Sequence, residues 1–83
     1  MNVTMTETYR LSSARTRAEE SLEMALDNLL RVHAEVHVAG NTYDSCLKLS
    51  RALSKYHDAK KHSDEANRAY HVHVALTEFK VGA

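Results

Sequence analysis

The chain contains no proline, no tryptophan, one cysteine and two glycines in 83 residues. Isoleucine is absent as well, and phenylalanine occurs once, at Phe79. Each absence excludes something. With Gly40 and Gly82 as the only glycines, the backbone meets one internal stop signal, Gly40-Asn41, and the rest reads as helix built on Ala, Leu, Glu, Lys and Arg. The lone Cys46 rules out an internal disulfide framework and suits a reducing compartment, so a cytoplasmic setting is expected. No apolar run approaches the roughly 18 residues a membrane span requires. The polar opening stretch, 1–10, has none of the apolar centre of a signal peptide. A membrane is therefore not an expected partner.

Eleven Lys and Arg balance eleven Asp and Glu, giving zero formal charge. A generic polyanion binder needs a basic excess, so nucleic acid is not an expected partner either. There is no Gly-rich phosphate loop, no serine in a nucleophile turn and no carboxylate pair isolated among apolar residues. No catalytic residue is assigned, and the chain reads as a non-enzyme.

The apolar content, 43%, overstates the core, because eleven of those residues are alanines. Nine leucines, seven valines and one phenylalanine remain to be buried. So thin a core offsets the conformational entropy of folding poorly, and self-association is the ordinary remedy.

The pattern predicts a partly ordered N-terminal segment, 1–11, followed by a single helical domain, 12–83. That domain divides into a helix over 12–39, a turn at 40–41 and a helix over 42–80, with Asn41 or Thr42 capping the second helix. Thr16 and Glu19 also have capping-box spacing. On a helical wheel the first helix collects Ala39, Val32, Ala25, Ala18, Val36, Leu29, Leu22, His33, Leu26, His37 and Leu30 within about 180°. A single neighbouring helix needs only about 100° of that arc, so the helix requires two partners. The expected fold is all-α, a long antiparallel helical hairpin self-associating into a dimer or higher helical bundle. Leu22, Leu26, Leu29, Leu30 and Val36 are the expected oligomer interface.

Folding the hairpin about Gly40 sets Glu19 and Glu20 level with Lys61 and His62, and Arg17 level with Asp64. These look like cross-helix ion pairs. Tyr70, Val72, Leu76 and Phe79 would meet Leu11, Tyr9, Met5 and Val3 in the same register. Tyr56 and Tyr70 fall on the seam of the second helix. The alternative fold is a three-helix bundle with a reversal near Ser63, where Lys60, Lys61 and His62 suit a helix end and Ser63, Asp64 and Glu65 a fresh start.

Two constellations could carry chemistry. His33 and His37, four residues apart, share one helix face and, with Cys46 brought near across the turn, make a candidate zinc set. No other cofactor is expected. Lys48, Arg51 and Lys55, with His62, fall within about 60° on the second helix and form a candidate anion-binding row. The function expected from these features is that of a non-catalytic helical interaction protein, which binds itself and a protein partner and blocks or bridges that partner. A small-ligand or metal binder, using His33 and His37 or a basic pocket between subunits, is the alternative.

Overall fold

The scarcity of backbone breakers is realised as two helices and one turn. The computed structural model describes the backbone of residues 3–82 and the side chains of 6–78. Helix α1 runs Val3–Ala39 and helix α2 runs Tyr43–Gly82. The described chain is thus an all-α hairpin, with no strand.

The turn is set by local chemistry. Gly40 takes φ +88°, the left-handed region that side-chain-bearing residues avoid. Its N–H donates to Val36 O at 2.9 Å, closing α1 with a single left-handed cap. Thr42 then opens α2, its Oγ1 accepting from Ser45 N–H at 3.1 Å. Asp44 places a negative charge in that first turn, where the helix dipole favours it. Of the two candidate caps, Thr42 is the one used.

Both helices differ from expectation in ways with physical causes. α1 begins at Val3 rather than at 12, absorbing the segment expected to be partly ordered. Thr8 shares a side-chain hydrogen bond of 2.8 Å with His73 of α2, which ties this stretch down. Thr16 is no cap but lies inside the helix, its hydroxyl donating back to Ser12 O at 3.1 Å. α2 passes through Ser63 without a break, so the three-helix alternative is excluded. Ser63 is buried, 3% exposed: it is the small residue of a close helix contact, and not a cap.

The Thr8–His73 contact fixes the register. Counting inward from it, Ala18 comes level with Ser63 and Leu29 with Ala52. Ala18, Ala52 and Ser63 are the buried residues among those described, and no described side chain of any size is completely enclosed. Small residues bring the two backbones together, and the larger ones flank the seam half-buried. The molecule is accordingly a rod, 61 × 20 × 13 Å, with a radius of gyration of 18.5 Å. A compact domain of this length would have about 12 Å. Its accessible surface, 6634 Å², exceeds the roughly 5,000 Å² of a compact monomer of the same mass.

The expected cross-helix ion pairs do not form. Asp64 instead pairs with Lys60 on its own helix at 3.6 Å, and Arg17 donates to Ser13 O at 3.4 Å. Register sets only the height along the seam. Arg17 and Asp64 are level, but their azimuths send them to opposite flanks. Likewise Tyr9, Val72 and Leu76 are exposed and do not meet across the seam. Leu11 and Tyr70 are half-buried as expected, and so is Tyr56. The side chains of Val3, Met5 and Phe79 lie outside the described residues.

Candidate interaction surfaces

The hairpin has two flanks of different chemistry, and their identity follows from helix geometry. Ala18, Leu22, Leu29 and Val36 point at α2. Rotating past them on α1 by about a quarter turn one way gives Leu26, Leu30, His33 and His37; the other way gives Arg17 and Ser21. Two surface depressions identify the matching sides of α2. His33, Val36 and His37 line one together with Gly40, Asn41 and Leu49. Ala14, Arg17, Ala18 and Ser21 line the other together with His62.

The first flank is apolar at its centre. Leu53, one turn beyond Leu49, lies on it, and the register sets Leu53 level with residue 28, midway between Leu26 and Leu30. These three leucines are 39%, 58% and 40% exposed. Of the expected interface, Leu22, Leu29 and Val36 are half-buried and already used in the hairpin seam. Leu26 and Leu30 are left open, and Leu53 joins them from α2. Sequence reading missed Leu53, because the second helix carries its own apolar stripe and nothing in the pattern says which leucine falls outside it.

Lys48, Arg51 and Lys55 are exposed on the same side of α2 as His62, which shares a depression with Arg17 on the opposite flank. Among the described residues both ion pairs, Arg10–Glu7 and Lys60–Asp64, lie within one helix and neither involves this row. Asp44, four residues before Lys48, and Asp58, three after Lys55, fall on the same stripe of α2 and flank the three cations. The three cations thus form a short basic row between two carboxylates, none of them within ion-pair distance in the structure.

The zinc set is not assembled. Among the described residues, no three His, Cys, Asp or Glu side chains come together in a group able to hold a metal ion. Cys46 is exposed and does not line the depression that holds His33 and His37, which Leu49 and Asn41 close instead. The imidazole pair remains as two exposed side chains on the apolar flank.

The open end of the hairpin carries polar links. The Arg15 guanidinium stacks over the Tyr70 ring at 4.2 Å from its centre, and Arg15 Nε is buried without a hydrogen-bond partner. About two turns earlier on α1, Glu7 accepts hydrogen bonds from Arg10. That bond holds the Glu7 carboxyl below its ordinary pKa, outweighing the opposing desolvation, with a lesser contribution from the charges of Arg10 and His73. The same bond raises the pKa of Arg10. No described helix is long and apolar enough to cross a membrane.

No protein-family model, no curated protein and no solved structure matches this chain. Its residues and their geometry are the basis for a functional reading.

Proposed function

We propose that this chain is a non-catalytic interaction protein. It self-associates through the flank carrying Leu26, Leu30 and Leu53, and presents its remaining helical surface to a protein partner that it blocks or bridges. The observation that carries this reading is the open leucine flank on a hairpin that encloses no large side chain. A rod so poor in core gains most of its hydrophobic stabilisation from a second layer of helices. The opposite flank supports the rest of the reading. Lys48, Arg51 and Lys55, exposed without ion-pair partners among the described residues, suit an acidic protein surface. An attraction of this kind sets encounter rate and specificity more than affinity.

The test is the mass of the particle in solution, by native mass spectrometry and light scattering. The expected result is an oligomer, with the exposed Leu26, Leu30 and Leu53 changed together to polar residues giving a monomer that keeps its helicity. A wild-type monomer, or a triple variant of unchanged mass, overturns the reading.

A further inference from the structure

The stripe that α2 leaves uncovered on α1 is Glu19, Glu23, Leu26, Leu30, His33 and His37, every member exposed. The steps between these positions are four, three, four, three and four residues, the spacing of a helix–helix seam. The order of steps is the same read from either end, and its midpoint is residue 28. The chemistry is complementary under the same reversal: two carboxylates at one end, two leucines at the centre, two imidazoles at the other.

We infer that the occupant of this flank is a second copy of the chain, laid antiparallel across it with a two-fold axis at the level of residue 28. Leu26 of each copy packs on Leu30 of the other. Glu23 meets His33 and Glu19 meets His37, each twice by symmetry. An imidazole N–H donates to a carboxylate whether or not the ring carries a charge, so the pairing holds at neutral pH. α2 agrees independently. The hairpin register puts Leu53, the exposed leucine of this flank, level with residue 28, so the same axis stacks Leu53 on its own symmetry mate. A parallel arrangement about an axis along the rod instead lays α1 of each copy over α2 of the other; it offers Lys60 to Glu19 and Glu23 but leaves His33 and His37 without a carboxylate.

The extent of the contact suits a stable dimer. Overlap runs over residues 16–40 of α1 and 41–65 of α2, about 36 Å along the rod at 1.5 Å per residue. With a width of 20 Å this covers about 700 Å² of each copy, close to the roughly 800 Å² per partner of a typical stable interface. The product is a four-helix bundle over the central half of the particle. The row of Lys48, Arg51 and Lys55 faces outward on both sides, and the open ends of the two hairpins project in opposite directions.

This inference rests on the oligomeric reading proposed above, and charge reversal separates the two. The measurement is the particle mass across a dilution series for wild type, for Glu19→Lys with Glu23→Lys, and for those two combined with His33→Glu and His37→Glu. All four positions are exposed, and far-UV circular dichroism confirms the helicity of each variant. The expected result is a wild-type dimer, a double variant weakened on the order of tenfold or more, and a quadruple variant restored to dimer. Restoration is specific to the antiparallel pairing, because an arrangement about the long axis sets each stripe against α2 of the other copy, where exchanging the charges within the stripe re-forms no pair. A wild-type dimer that the double change leaves intact, or that the quadruple change fails to restore, overturns the antiparallel stripe while leaving self-association standing. A wild-type trimer or larger particle does the same. A wild-type monomer overturns both.

Discussion

Thr8 Oγ1 and His73 Nε2 stand 2.8 Å apart, joining the two helices far from the single turn, at Gly40, among the described residues. This bond does two things. It holds the first turns of α1 against α2, and it sets the register that brings Ala18 level with Ser63. Replacing His73 by Ala should lower stability by about 1 kcal/mol in urea unfolding. Amide exchange should rise over residues 6–12 more than over 30–38, and equal acceleration at both ends would show that the bond does not anchor the open end.

The turn offers a cleaner test, since a side chain at Gly40 would meet nothing within 4 Å. Space is therefore not the issue, only φ. Gly40→Ala should destabilise by about 1–2 kcal/mol, while Gly40→Asn, more tolerant of the left-handed region, should cost less. Equal effects of the two would argue against backbone conformation as the cause.

Thr42→Ala removes the side-chain acceptor for Ser45 N–H and should cost about 1 kcal/mol. Thr42→Ser keeps the oxygen and should be nearly silent. Thermal unfolding of the pair at one fixed concentration checks this, the fixed concentration removing any contribution from mass action.

Arg15 sets two effects against each other. Its stacking on Tyr70 is worth about 0.5–1 kcal/mol, whereas the buried, unpartnered Nε costs about 1–3 kcal/mol. The second is larger, so Arg15→Met, which keeps the length and loses both, should leave stability unchanged or raise it. A fall of more than about 1 kcal/mol would show that the stacking outweighs the desolvation.

Glu7 should titrate below the ordinary carboxylate value of 4.5, because Arg10 holds its charged form. A depressed folded-state pKa contributes stability that is present above the unfolded-state value and lost as the pH falls through the folded one. Carbon-detected NMR titration should give the low value in wild type and a return towards 4.5 in Arg10→Ala. Identical titrations would remove the pairing as its cause.

The helical hairpin was legible in the sequence because helix and turn are decided locally. An absence of proline leaves every backbone N–H able to donate, and one Gly-Asn step supplies the single left-handed position. The width of the apolar arc on α1 was legible too, since a period of about 3.6 residues projects directly from the order of residues. The even spacing of Glu19, Glu23, Leu26, Leu30, His33 and His37 is also in the sequence, but it is buried within that wide arc, and Ala18, Leu22, Leu29 and Val36 compete for the same role.

Only the packing of α2 on α1 could choose between them. Azimuth about each helix axis decides which leucines enter the seam, and it depends on the small buried residues along it, Ala18 level with Ser63 and Ala52 level with Leu29. The same packing sent Arg17 and Asp64 to opposite flanks, left Cys46 outside the depression that holds the two histidines, and turned the row of Lys48, Arg51 and Lys55 away from the exposed leucines. Periodicity along one helix fixes what that helix offers. Which part of the offer is taken, and which is left for another molecule, is settled by the neighbour.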